Sequence, residues 1–147
     1  MNYIEQKKKA IQLNKEWEQL GQTSIIMKYR MKGAKTAIQC LQLLGNTNQT
    51  KTQQKEIAKK MIWICGYLFM KAISQKDQQK AIYINRFKDG INWTIADMEI
   101  YTTEEIWKIE SQGNNAYADN TSNEWKQDPI AQEILKQLKN NSSYPLQ

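Results

Sequence analysis

Cys40 and Cys65 are the two thiols of a chain that contains no histidine. Imidazole ligation, Ser-His-Asp catalysis and a histidine pH switch are therefore excluded, and a cysteine nucleophile would lack its usual base. Neither thiol has the spacing of a metal site, and both sit inside apolar runs, so they read as structural groups of a reducing, intracellular compartment. The carboxylate pairs Glu16/Glu18 and Glu104/Glu105 fall in helical segments, where solvated or capping roles are expected. No glycine-rich phosphate loop and no acidic metal-binding loop occurs. The expectation is a chain without a catalytic constellation, metal, cofactor or small-molecule substrate, whose chemistry is that of its charges.

Those charges are unevenly spread. Residues 1–45 hold eight Lys and Arg against three acids, residues 46–90 nine against three, and residues 91–147 four against nine. Within the basic part, Lys7, Lys8 and Lys9, the stripe Lys28, Arg30, Lys32 and Lys35, the run Lys51, Lys55, Lys59 and Lys60, and the pair Arg86 and Lys88 are the candidate nucleic-acid contacts. Each could attract phosphate through charge and counterion release, although solvated lysine faces produce the same pattern. Only two of the 21 cations are Arg, the usual bidentate reader of guanine, so sequence-specific base reading is not signalled.

The elements that must carry these groups are helical. A chain of 147 residues suits one domain, and with two Pro and six Gly it has few of the breakers that β-rich folds use at every turn. The longest apolar stretch, residues 61–70, lies between Lys60 and Lys71 and is half the length of roughly twenty residues that a bilayer requires. No membrane span is expected, and residues 1–9 match no secretory or transit signal.

Apolar spacing predicts a first helix over 3–20, with Ile4, Ile11, Leu13, Trp17 and Leu20 inward and Gly21 ending it. Ser24 would cap a second helix to Leu44, packed through Met27, Met31, Ala34, Ile38, Leu41 and Leu44, with Gly45 as its stop. After a polar linker at 46–52, a third helix over 53–73 is apolar almost all round and so central, its Trp63, Tyr67 and Phe69 serving as core or subunit interface. Ser74 would cap a fourth helix to Lys88, with Ala81, Ile84 and Phe87 inward and Asp89-Gly90 ending it. A short helix follows at 92–98, then one capped by Thr102 and Glu105 that carries Ile106, Trp107 and Ile109. Order is expected to fade over 113–127, a last helix to begin at Asp128-Pro129 with Ile130, Ile134, Leu135 and Leu138, and the tail 140–147 to fray. The predicted architecture is a single all-α domain of five or six helices over 1–110, followed by a polar, partly ordered segment 111–147 holding a short helix at 129–139.

Residues 81–110 resemble a degenerate homeodomain-like helix-turn-helix: Phe87 near the end of one helix, a turn at Gly90, a short helix with Trp93, a Thr102-capped turn, then Ile106 and Trp107 facing the core. The tight turn, which often holds Gly in such units, would hold Tyr101. Glu104, Glu105 and Glu110 against Lys108 give the third helix a net charge of −2, which phosphate repels, so these four residues are the candidate protein interface. Lys, Asn and Ile are abundant, Val is absent, and 17 Gln outnumber 12 Asn, usage similar to that of ciliates that read stop codons as Gln, and of recoded phages. In size, Gln content and this segment the chain resembles the small homeobox-like accessory subunit of the ciliate DNA N6-adenine methyltransferase complex. That resemblance implies a nuclear, non-catalytic subunit with protein partners, which contacts DNA through its backbone while a partner performs the chemistry. Phage late-gene transcription regulators are also similar, placing Trp93 and Ile106-Trp107 after a long helical part. A third expectation, from the Trp and Met content and the acidic helix, is an assembly or inhibitor protein that never meets nucleic acid.

Overall fold

A helix that is apolar on every side has to lie where neighbours surround it. Residues 61–70 do so within α3 (Lys51–Ser74), where Met61, Ile62, Ile64, Cys65, Gly66, Tyr67 and Leu68 are all buried. The computed structural model describes residues 2–20, 25–45, 48–118 and 123–139. Around α3 pack α2 (Ile25–Gln42), α4 (Gln78–Asp97), α5 (Thr103–Ala118) and α6 (Pro129–Lys139), while α1 (Tyr3–Leu20) lies on α2 and α4. A short 3-10 helix, Asn123–Gln127, leads into α6. The protein is all-α, with no strand among the described residues. No helix among them is long and apolar enough to cross a membrane.

The two closest helix pairings, α2 with α4 and α3 with α5, each cross at a pair of glycines. A Cβ on Gly33 would stand 1.9 Å from the Phe87 carbonyl oxygen, and one on Gly90 1.8 Å from that of Arg30. At the other crossing, a Cβ on Gly66 would stand 2.6 Å from the Glu110 carbonyl oxygen and one on Gly113 2.2 Å from that of Trp63. Hydrogen in place of a side chain lets the backbones touch.

These crossings overturn two expectations about where helices end. Gly90 is not a terminator, because α4 runs through Asp89-Gly90 to Asp97 as one helix of 20 residues. The short helix expected at 92–98 is its final turns. Gly113 does not mark fading order either, since α5 continues past it to Ala118. With α4 unbroken, residues 81–110 hold two helices where the homeodomain-like unit needs three.

Side-chain caps set most of the remaining boundaries. Thr50 and Gln53 form a capping box that starts α3 at Lys51, two residues before the expected point. Asp77, not Ser74, caps α4 by accepting the Lys80 N–H at 3.1 Å, because α3 itself extends to Ser74. Thr102 and Glu105 cap α5 reciprocally, at 2.9 and 3.2 Å, as the spacing predicts. Asp128 accepts the Ile130 N–H at 2.9 Å at the start of α6, whose Ile130, Ile134 and Leu138 are buried as expected. Gly45 closes α2 at φ +100, whereas Glu99 at φ 59 supplies the left-handed residue between α4 and α5. Tyr101 lies in the same connection, as expected, and donates its hydroxyl to the Lys55 carbonyl at 3.2 Å. Gly21, Ser24 and the tail 140–147 lie outside the described residues.

The first helix faces the core with a different stripe from the one its aliphatic residues suggest. Tyr3, Gln6, Ala10 and Asn14 are buried, while Ile4, Ile11 and Leu20 are exposed. Hydrogen bonding explains the inversion. Gln6 and Gln54 bond reciprocally, at 2.8 and 3.3 Å, and Gln6 also donates to the Met98 carbonyl at 2.8 Å. Gln54 donates onward to Gln49, which in turn satisfies the Leu41 and Gly45 carbonyls at the end of α2. A buried amide chain of this kind ties three helix ends together, and no member can be removed without leaving another unsatisfied.

Candidate functional site

The cationic stripe of α2 is present at the surface, with one member missing. Lys28, Lys35 and Gln39 are exposed and Lys32 is half-buried. Burial, and secondarily the charge of Lys28 one turn away, hold the Lys32 ammonium below its ordinary pKa. Arg30 follows Lys28 by two positions, which on a helix of 3.6 residues per turn puts it about 200° round from Lys28. It points inward, lying 4.6 Å over the Trp93 ring with its guanidinium 3.7 Å from Asp89. Trp93 in turn meets Trp17 of α1 edge-on at 4.8 Å. Arg30 is therefore a packing residue of the α1–α2–α4 junction rather than part of the exposed stripe.

Lys88 and Arg86 are likewise withdrawn from the candidate phosphate contacts. Lys88 is buried and donates to Glu110 at 3.0 Å, with Asp89 3.9 Å away, while Arg86 pairs with Asp89 at 3.6 Å. Asn92 adds a second donor to Glu110 at 3.2 Å. This knot ties α4 to α2 through Arg30 and to α5 through Glu110. It forms because an uninterrupted α4 brings Lys88 and Asn92 onto one face, one turn apart.

The lysines of α3 divide between two fates. Lys51 donates to the Glu99 carbonyl, Lys55 lies 5.6 Å over the Tyr101 ring, and Lys60 pairs with Asp128 at 2.8 Å. Burial alone would push the Asp128 carboxyl up, but hydrogen bonds from Lys60 and from the Ile130 N–H, with the Lys60 charge, hold it below the ordinary carboxylate value. Lys59 is exposed with no ion pair among the described residues, as are Lys8, Lys28 and Lys35. On α1, Lys9 is exposed and Lys7 half-buried. Asp97, raised by burial, feels the opposing charge of Lys9. Of the candidate contacts, those that remain free for an anion thus lie on α1, α2 and the middle of α3.

The acidic helix also differs from its expected form. Glu104 and Lys108 are exposed, and Glu105 is exposed with its carboxylate held below the ordinary value by hydrogen bonds from the Thr102 backbone and side chain. Glu110 is not available to a partner, being half-buried against Lys88 and Asn92. Trp107, expected in the core beside Ile106, is 64% exposed, whereas Ile106 is 2% exposed. The buried face of α5 is set by Ile106, Ile109 and Gly113, and Trp107 lies outside that arc. A large indole one turn from Glu104 is thereby left facing solvent.

No family model, curated protein or solved structure matches the chain. Cys40 and Cys65 are buried free thiols, each pushed up to about 12 by burial, so neither is a ready nucleophile at neutral pH. Among the described residues no three Cys, Asp or Glu side chains gather in a way that could hold a metal.

Sequence reasoning missed the outward Trp107, the Lys88–Glu110 pair and the glutamine chain. One signal for Trp107 was available: Ile106, Ile109 and Gly113 recur at three and four, the spacing of one helix face, and Trp107 breaks it. The other two depend on contacts between α4 and α5 and between α1 and α3, which no local pattern carries.

Proposed function

We propose that the chain is a non-catalytic adaptor subunit of a DNA-acting assembly, in which exposed lysines of α1 and α2 contact the phosphate backbone and the outer face of α5 meets a protein subunit. The observation that carries this reading is the Lys28–Lys32–Lys35 face. Three ammonium groups repeat at helical spacing with no ion pair among the described residues, and Lys32 is depressed partly by its like-charged neighbour. Like charges one turn apart weaken a helix, and a bound polyanion relieves that repulsion. The resemblance to the ciliate accessory subunit supplies the finer form of the proposal: a nuclear adenine methyltransferase complex whose chemistry is done elsewhere in the assembly. A regulator that reads bases through α5 is less well supported, because α5 turns Glu104, Trp107 and Lys108 outward and its cations do not outnumber its acids.

Replacing Lys28, Lys32 and Lys35 together by Gln should reduce the slope of log K against log salt for a duplex oligonucleotide by about 2 to 3, since each neutralised phosphate contributes about 0.9. Helix content by circular dichroism should not change, because the stripe contributes no ion pair. An unaltered slope would remove this face from the account.

A second reading, an assembly or inhibitor subunit that never touches nucleic acid, draws on Trp107. At 64% exposure beside Glu104 it has the character of an interface anchor. Wild-type protein with no salt-dependent affinity for DNA would favour that reading.

A further inference from the structure

The charged side chains of α2 are Lys28, Arg30, Lys32 and Lys35, and the helix carries no acid. Arg30 turns away against Trp93 and Asp89, which leaves the three lysines, followed one turn on by exposed Gln39, along one edge of an unbroken helix. Acids of the neighbouring helices form no ion pair with this edge among the described residues. Asp89 of α4 is shared by Arg30, Arg86 and Lys88, Glu133 of α6 acts on Cys40 beyond the last lysine, and Glu5, Glu16 and Glu18 of α1 pair with none of the three.

The same edge lacks an aromatic ring. Proteins that hold a single strand combine cations with side-chain rings on which successive bases stack. Tyr29, the one ring on α2, is 2% exposed and meets Tyr83 edge-on at 4.3 Å. Trp93 and Trp17 lie on the Arg30 side, about 200° round the helix from Lys28. The helix α6 also packs on α2 and holds no aromatic residue. The remaining indoles, Trp63, Trp107 and Trp125, belong to α3, α5 and the 3-10 helix. Among the described residues, then, this edge offers an oligonucleotide three ammonium groups and an amide, and no stacking surface.

A face that offers charge alone discriminates by charge density. Lys28 and Lys35 stand about 10 Å apart along the helix axis, and over that length a duplex presents about six negative charges where one strand presents about three. A flexible strand would also have to be ordered along the helix with no stacked base in return. We propose that the Lys28–Lys32–Lys35 edge selects double-stranded over single-stranded DNA, through charge density and without regard to sequence. The inference rests on the DNA-contact reading above and adds the class of nucleic acid that this face takes. With no arginine on the edge, bidentate reading of guanine has no donor there.

The test is fluorescence anisotropy on the full chain and on its Lys28→Gln/Lys32→Gln/Lys35→Gln variant, with two labelled duplexes of unrelated sequence and with their separated strands. At about 0.1 M salt the wild type should bind each duplex at least about tenfold more tightly than either strand, and the two duplexes within about twofold of each other. The triple variant should lose about tenfold to a hundredfold on the duplexes and less than about threefold on the strands. An equal fold-loss on strands and duplexes would overturn the selectivity while the DNA contact stands. A preference of more than about tenfold for one duplex sequence would overturn the charge-only basis. So would quenching of tryptophan emission by a single strand that disappears in the triple variant, because it would put an indole beside the lysines. A wild type with no salt-dependent affinity for duplex or strand would overturn this inference and the reading beneath it together.

Discussion

Gly90→Ala should destabilise the protein by about 3 kcal/mol or more, although the same change inside an ordinary helix would stabilise it by about 1 kcal/mol. The sign is decided by what the new methyl would meet. At Gly90 it would stand 1.8 Å from the Arg30 carbonyl oxygen, 2.8 Å from the Arg30 carbonyl carbon and 2.9 Å from the Ala34 nitrogen, all of them backbone atoms that cannot rotate away. The only relief is for α2 and α4 to separate, which loosens the packing of Tyr83, Phe87 and Ile91 on one side and Ala34, Ala37 and Leu41 on the other. Gly33→Ala should act the same way through Phe87, since the crossing is reciprocal. The two changes should not add: once one methyl has forced the helices apart, the second finds room, and the double variant should cost clearly less than the sum. Urea denaturation followed at 222 nm would measure all three. A more stable Gly90→Ala protein would show that α2 and α4 do not touch there.

The second large effect belongs to Lys88 and Glu110. Removing one partner leaves the other charge largely enclosed with only a weaker partner, Asp89 at 3.9 Å for Lys88 and the Asn92 amide for Glu110, and the expected loss is about 2 to 3 kcal/mol. Glu110→Leu should cost most, because it strips both the Lys88 ammonium and the Asn92 amide of an acceptor. Lys88→Met should cost less, since Glu110 keeps the Asn92 hydrogen bond. The double variant Lys88→Met/Glu110→Leu should recover much of the loss, as an apolar replacement no longer leaves a charge stranded. The same denaturation experiment gives the cycle. Near-neutral effects for both single variants would return Lys88 and Glu110 to the surface, where a phosphate contact and a protein contact could be argued for them.

What could be read locally and what could not divide along a physical line. Caps are local devices, so the starts of α5 at Thr102 and of α6 at Asp128-Pro129 were legible, and the apolar run at 61–70 announced a central helix. Glycine is ambiguous at that level. Gly45 ends a helix with positive φ, whereas Gly90 and Gly113 stay helical because another backbone occupies the space of their side chains. The difference exists only in the tertiary contact. The face of α1 is hidden for a related reason: its aliphatic residues suggest one stripe, while the actual face is anchored by Gln6, whose partners Gln54 and Met98 are distant in sequence. Within the candidate site, the α2 stripe of Lys28, Lys32 and Lys35 followed from helical period alone. Arg30 shared the stretch but not the face, which the period also indicates, and Lys88, Arg86 and Lys60 were claimed by acids that only folding brings near.

In the proposed arrangement one surface, on α1 and α2, meets phosphate while the outward face of α5 meets protein. Photo-crosslinking in the assembly captured from the native source tests it most directly, with the reactive group placed once in place of Lys35 and once in place of Trp107. Position 35 is expected to capture DNA and position 107 a protein subunit. Capture of protein alone at position 35, or of DNA at position 107, would contradict it.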